Sequence, residues 1–331
     1  MTALLDVKNL SIRFPIKRSW GRSSWLYAVD DVSFEVKRGE TLAIVGESGS
    51  GKTTAALGVA RLVQASGGTV NLDGQDFLGL EPEELRQARA KVQMIFQDPY
   101  SSLNPRLRAE AIVREPMDSI GTLPVSERPA RVAELFEQVG LRPEQMKLFP
   151  HQFSGGQRQR IGIARALSTN PELIICDEAV SALDVAVQAQ ILNLLRRLQR
   201  DLGLTYLFIS HDLGVVQHMS DHIAVMYMGK IVEYADRLSL FNNPKHPYTK
   251  ALLSAVPSVD QKRKVERLLI PGDPPNPLDP PKGCRFASRC PFVEDACKAA
   301  QPPLDEIAPQ HKVACIKAVA LKVKSVSPLI A

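Results

Sequence analysis

The 331-residue chain contains no uncharged apolar run of about 18 residues, so no segment reads as a membrane-crossing helix. Its first residues, MTALLDVKNL, lack a basic n-region, an apolar h-region and a small-residue cleavage site, and a secreted protein is not expected. Charge of one sign is scarce. The 41 Lys and Arg against 36 Asp and Glu leave only +5, spread along the chain, which does not support a nucleic-acid groove and would suit nearby anionic lipid. The five cysteines include no tight C-x2-4-C pair, which disfavours zinc, and an intracellular chain is not expected to use them as structural disulfides. Otherwise the composition is ordinary, with 44% hydrophobic and 23% charged residues, and the length suits one main domain with an appendage.

What is present begins with Gly46-Glu47-Ser48-Gly49-Ser50-Gly51-Lys52-Thr53, directly after the apolar run Leu42-Ala43-Ile44-Val45. It matches G-x-x-x-x-G-K-[ST] at every fixed position, the pattern of a strand running into a phosphate-binding loop. Gly46, Gly49 and Gly51 let successive backbone N–H groups turn toward an anion with no Cβ in the way. A helix beginning near Lys52 adds its positive N-terminal end. Lys52 offers a mobile charge to β- and γ-phosphates, and the Thr53 hydroxyl is placed to ligate Mg2+. A glycine-rich turn before an ordinary helix is the bland alternative; the rest of the chain argues against it.

Residues 3–14 partly alternate as a half-buried strand, and PIKRSWGRSS at 15–24 reads as a basic surface loop. Strands are expected at Tyr27–Val29 and Val32–Val36. Phe14, then Tyr27, are the aromatics available to stack on a base, with core packing as the alternative. A helix over 52–64, a strand and hairpin turn over Gly68–Gly74 and a helix over 81–90 follow. Val92–Phe96 is a buried strand leaving the core at Gln97, from which a side chain can reach a metal or an attacking water. Residues 105–150 have helical periodicity, with a stop near Gly140. Ser154 is a natural N-cap, and Gly155 and Gly156 leave backbone N–H groups open at the start of the next helix, a second anion-binding terminus. Leu173–Asp177 is a near-continuous apolar run, the mark of a parallel strand covered on both faces, whose ligands bind beyond its carboxyl end. Asp177 is therefore placed to hold Mg2+ and Glu178 to orient or deprotonate water. Ser181 and Asp184 open the turn into an amphipathic helix over 185–202; a strand at Thr205–Ser210 then ends at His211, which can donate to a γ-phosphate. Two more strands, Ile223–Met228 and Lys230–Tyr234, flank Gly229.

In this order the pieces resemble the nucleotide-binding subunit of an ATP-binding cassette (ABC) transporter across residues 3–240. GESGSGKT resembles Walker A, Gln97 the Q-loop, FSGGQRQR the signature, LIICDE Walker B with its catalytic glutamate, SALD the D-loop and His211 the switch histidine. The resemblance implies an α/β P-loop fold with a mixed-sheet core, an antiparallel β subdomain and a helical subdomain at about 98–160. It implies that ATP is bound by Phe14, Gly46, Glu47, Ser48, Gly49, Ser50, Gly51, Lys52, Thr53 and Thr54. Mg2+ would be held by Thr53, Gln97 and Asp177, and hydrolysis carried by Glu178, His211 and Gln97. It further implies a head-to-tail dimer in which Ser154, Gly155, Gly156 and Gln157, with Ser181 and Asp184 nearby, close on the nucleotide of the partner. Ala179 stands where the family usually has proline; both carboxylates remain, and ATPase competence is expected.

The stretch Asn243–Pro257 is similar to the C-terminal signature of oligopeptide and dipeptide importer ATPases, whose relatives carry nickel and glutathione. FQDPYSSLNP and ICDEAVSALDVAVQAQ look more like the "F" ATPase of such systems than its "D" partner. This implies a heterodimer with a second ATPase under two membrane permease subunits, an extracytoplasmic peptide-binding protein, and a peripheral place on the cytoplasmic side of an inner membrane. A soluble cassette ATPase that transports nothing is the rival reading, disfavoured by the single cassette. After a stiff proline-rich spacer at 271–281, Cys284, Cys290, Cys297 and Cys315 are spaced C-x5-C-x6-C-x17-C within residues 241–331. Four thiolates without tight pairs suit a [4Fe–4S] cluster, and GCRFASRCP resembles the cluster-bearing tail of the importer ATPases. Disulfides and free thiols remain open.

Overall fold

The computed structural model describes residues 3–17, 23–255, 268 and 270–318. Positions 18–22 of the expected loop and the last two residues of the 243–257 stretch lie outside them. The chain opens with two long strands, β1 (Ala3–Lys17) and β2 (Ser23–Lys37), then β3 (Thr41–Val45) and helix α1 (Lys52–Val59). β4 (Gly67–Leu72), β5 (Gln75–Asp76), α2 (Pro82–Ala88) and β6 (Val92–Ile95) lead into the helices α3 (Ala109–Ile120) and α4 (Arg128–Gln138). Next come α5 (Gly155–Leu167), β7 (Leu173–Asp177), α6 (Val185–Leu202), β8 (Thr205–Ser210), α7 (Leu213–Met219), β9 (His222–Tyr227) and β10 (Lys230–Asp236). The C-terminal part adds α8 (Arg237–Asn242), α9 (Pro247–Ser254), α10 (Asp295–Ala299), β11 (Asp305–Ala308) and β12 (His311–Val313).

The chain divides into two compact units. One comprises residues 1–5, 35–41 and 71–209. Its strands β6, β7 and β8 pair in parallel, with Ile95 opposite Cys176 and Asp177 opposite Ile209, so their carboxyl ends lie level. Leu173 through Asp177 and Thr205 through Ser210 are buried throughout, which is why these runs carry no polar alternation. Ile191 and Leu195 of α6 and Ile161 and Ile163 of α5 are fully buried, each contributing about 1.5–3 kcal/mol.

The segment expected as one helical stretch over 105–150 is broken into α3, α4 and two 3-10 turns, Pro143–Lys147 and Pro150–Gln152. Gly121 ends α3 in the left-handed region at φ 81°, and Pro143 and Pro150 each open a turn because neither offers an N–H to a longer helix.

The other unit comprises residues 6–34, 42–70 and 210–331. β3 and β9 are parallel, Val45 facing Val225; β10 returns antiparallel to β9, β12 pairs with β10, and β11 with β12. Two sequence expectations shift here. The expected strands at 27–29 and 32–36 are one strand, β2, kinked at Asp31 (φ 58°), whose N–H donates to Ser11 Oγ at 3.0 Å and whose carboxylate accepts from Asn9 Nδ2 at 2.7 Å. The helix expected over 52–64 stops at Val59, since Arg61 takes φ 51°.

Candidate nucleotide site

In the unit that contains it, the phosphate loop leaves β3 at Val45 and enters α1 at Lys52, with Gly51 capping the helix in the left-handed region at φ 101°. Two of its glycines are demanded by close backbone approach: a Cβ on Gly46 would sit 2.1 Å from the carbonyl oxygen of Met226, and one on Gly51 2.1 Å from that of Ala28. Gly49 has open space and is demanded only by its φ of 77°. Lys52 is 5% exposed, and its Nζ donates to the carbonyls of Gly46 (2.9 Å) and Glu47 (2.8 Å). Ser48, Gly49 and Thr53 are exposed, Thr54 half-buried and Ser50 buried.

Glu47 is gripped twice. Its N–H donates to Tyr248 Oη at 2.8 Å, and its carboxylate accepts from both terminal nitrogens of Arg289, at 2.9 and 3.4 Å. Phe14, on β1, is 36% exposed, while Tyr27 lies beneath the Arg13 guanidinium at 4.8 Å. His211 is exposed, and the next residue, Asp212, caps α7 by accepting from the N–H groups of Gly214 and Val215.

In the other unit Gln97, two residues past β6, is brought to Glu178: its Nε2 donates to Oε2 at 2.8 Å. Asp177 ends β7 at 5% exposure. Glu178 takes φ 46°, a rare conformation for a residue with a side chain, held by its N–H donating to Ile209 O at 3.0 Å and by Ser181 Oγ donating to its carbonyl at 3.0 Å. Ala179 is 1% exposed, so the position that departs from the family's proline is packed inside. Ser154 caps α5 in a reciprocal box: Ser154 Oγ accepts from Gln157 N–H at 3.3 Å, and Gln157 Oε1 accepts from Ser154 N–H at 3.0 Å. That leaves Ser154 and Gly155 exposed at a helix N-terminus, while a Cβ on Gly156 would meet Val187 Cγ1 at 2.5 Å. Asp184 caps α6 by accepting from Val187 N–H at 2.9 Å.

Cys284, Cys290, Cys297 and Cys315 are free thiols around one cavity, shared with His246 and Phe286. Burial raises Cys290 and Cys315 above the ordinary thiol value and pushes Cys284 up to about 11. Opposing this, Cys284, Cys290 and Cys315 each receive a backbone N–H from two residues on, namely Phe286, Phe292 and Lys317. Among the described residues no three His, Cys, Asp or Glu side chains converge closely enough for a single metal ion. No described helix is long and apolar enough to cross a membrane.

Sequence reasoning missed the grip on Glu47. Arg289 lies 242 positions away along the chain and belongs to no nucleotide motif, so nothing local announces it.

The ABC transporter family model matches residues 29–181, and the model of the oligopeptide/dipeptide transporter C-terminal region matches residues 232–297. The oligopeptide transport ATP-binding protein AppF of Bacillus subtilis is 50% identical over 318 residues, 94% of this chain and 96% of that one. Among solved structures, the ATP-binding cassette MJ0796, a dimer in a post-hydrolysis state bound to ADP and Pi, superposes with a TM-score of 0.63 at 30% identity, covering 70% of this chain and 98% of that one. The protein cbiO1 of Clostridium perfringens, part of the ABC transporter complex cbiONQ, gives 0.62 at 25% identity over 73% and 91%. The chain therefore belongs to the ABC transporter family, as an ATP-hydrolysing subunit that works on ATP with Mg2+.

Proposed function

We propose that this ATPase powers import of di- and oligopeptides, as the "F"-type partner in a head-to-tail heterodimer of ATPases. Residues 1–240 serve as the cassette and 241–331 as the importer-type extension. The dimer works beneath two membrane permease subunits, on the cytoplasmic side of an inner membrane, and receives peptide through an extracytoplasmic binding protein. The observation that carries the cargo assignment is the C-terminal match at residues 232–297, together with near-full-length similarity to an oligopeptide transport ATP-binding protein.

The phosphate loop and Lys52 would hold the triphosphate, with Phe14 against the base; Thr53, Gln97 and Asp177 would hold Mg2+ or its water shell, which would neutralise charge on the phosphates. Glu178 polarises the attacking water and His211 donates to the γ-phosphate, so catalysis is mostly positioning and charge stabilisation. The Gln97–Glu178 hydrogen bond of 2.8 Å supports a shared role, because a rearrangement of Gln97 would move the group that activates water. The exposed N-terminus of α5 at Ser154-Gly155-Gly156 would close on the partner's nucleotide. Uptake of labelled di- and tripeptides tests the reading: a Glu178→Gln chain present in membranes should abolish uptake. Uptake unchanged by that variant would reject peptide as the cargo and turn attention to nickel and glutathione.

A second reading concerns the tail. The four thiols around one cavity would hold a [4Fe–4S] cluster of structural rather than redox use. What supports it is that Cys284, Cys290, Cys297 and Cys315, separated in the sequence, line one cavity and are free of disulfides. Protein purified anaerobically should contain iron and sulfide and absorb in the visible, and Cys297→Ser should lose both; iron-free protein from iron-replete cells would reject the cluster.

A further inference from the structure

We propose that Tyr248 and Arg289 are positioning residues of the phosphate loop, holding Glu47 by its backbone N–H and by its carboxylate. The inference rests on the nucleotide-binding reading of residues 46–53. It assigns to the C-terminal part of the chain a task that no cassette motif contains.

The loop needs such support. Three of its eight residues are glycine, which gives the backbone freedom at the point where phosphate recognition needs a fixed array of N–H groups. Lys52 Nζ steadies the carbonyls of Gly46 and Glu47, but a Lys52 amine that reaches a phosphate gives those carbonyls up. Gly46 has its own restraint in the backbone of Met226. Among the described residues Glu47, the next one, is fixed from outside the loop by the side chains of Tyr248 and Arg289.

Both anchors are rigid. Tyr248 and Tyr227 are 0% and 1% exposed, their rings 4.7 Å apart, and Phe286 packs against both at 5.5 and 5.3 Å. The Tyr248 hydroxyl therefore has one place to be. Arg289 is 8% exposed, lies 5.9 Å over the Tyr227 ring and donates to Tyr227 Oη at 3.3 Å while meeting Glu47 with two nitrogens. Among the described residues its Nε finds no acceptor, so the guanidinium is buried at a cost its other bonds must offset. A two-pronged contact fixes orientation as well as distance, which a lysine in its place would not. A half-buried ion pair is poor evidence of added stability. Here it is evidence of geometry, because one partner sits in the loop.

The test measures ATP affinity by titration calorimetry on the full-length chain and turnover in the assembled transporter. Tyr248→Phe, which removes only the hydroxyl, should weaken ATP binding about 5-fold, and Arg289→Met about 10-fold, with kcat at saturating ATP within about 2-fold of wild type. Arg289→Lys should recover part of the loss. Combining Arg289→Met with Glu47→Gln should cost little more than either substitution, since both break one contact. Lys52→Ala is the control: if it binds ATP normally, the nucleotide reading of the loop fails. If Lys52→Ala abolishes binding while the Tyr248 and Arg289 variants bind like wild type, or if the Arg289 and Glu47 losses add, the positioning role is overturned. Melting temperatures separate a loosened loop from a loosened fold.

Discussion

Replacing Gly46 with alanine tests whether the loop's shape is set by contact rather than by glycine's freedom alone. The added Cβ would lie 2.1 Å from Met226 O and 2.8 Å from Ser50 Oγ, where ordinary contact begins near 3.4 Å. Ser50 can rotate its hydroxyl away. Met226 cannot yield as easily, because it is fully buried and pairs with Ile231 in the β9–β10 ladder. The loop must then retreat by about 1 Å, a displacement that costs on the order of 100-fold where reacting groups must be aligned. The internal comparison is Gly49→Ala, which meets nothing within 4 Å and bears only the penalty of φ 77°. That penalty is about 1–2 kcal/mol, or roughly 10-fold in binding. ATP titration of both variants, with melting curves to confirm folding, should rank them Gly46→Ala far below Gly49→Ala. Equal losses, or a Gly46→Ala chain that binds ATP normally, would refute the contact argument.

Glu178→Gln should retain ATP binding but slow hydrolysis by about 10²–10⁴-fold, read as phosphate release from the assembled transporter. Gly156→Ala should impair the ATPase because its Cβ meets Val187 Cγ1 at 2.5 Å, and adding Val187→Ala should restore activity by removing that methyl. Ser154→Ala removes the cap of α5 and should cost about 1 kcal/mol in denaturant melts. Burial alone would raise Glu172, but hydrogen bonds from Arg38 (2.5 Å) and Lys91 (3.2 Å) hold its carboxyl below the ordinary value. A depressed folded-state pKa means that this stabilisation is present above the unfolded value and lost as pH falls through the folded one. For groups this exposed the effect is within about 1 kcal/mol, so melts between pH 3 and 6 should show a shallower acid loss in Glu172→Gln than in wild type.

The elements of the candidate site are legible in the sequence because each is local. The phosphate loop, the capping box of Ser154 and Gln157 and the apolar run Leu173–Asp177 are contiguous, and their chemistry fixes their conformation; α6 and β8 begin and end where periodicity and burial place them. Element lengths were less legible. Residues 105–150 carry helical periodicity throughout, yet Gly121, Pro143 and Pro150 divide them, because breakers decide where hydrogen bonds stop. The pattern reads as two strands where β2 is one because Asp31 interrupts the alternation, whereas Ser11 and Asn9 bridge the kink. The hold of Tyr248 and Arg289 on Glu47 was not legible, since distant pairs leave no local pattern.

The pairing of β12 with β10 has a consequence for biosynthesis. β10 ends at Asp236 and β12 begins at His311, so the edge of β10 emerges from the ribosome about 75 residues before the strand that covers it. At about 5–20 residues per second that edge stays open for several seconds, the interval in which an unpaired strand recruits a wrong neighbour. Glu233, fully buried on β10, accepts from the N–H groups of Lys245 and His246 soon after it is made, but waits for His311, whose Nε2 meets it at 2.7 Å, until nearly the whole chain exists. Until His311 arrives, the Glu233 carboxylate is held by the N–H groups of Lys245 and His246, while the backbone edge of β10 beside it stays open to strand addition.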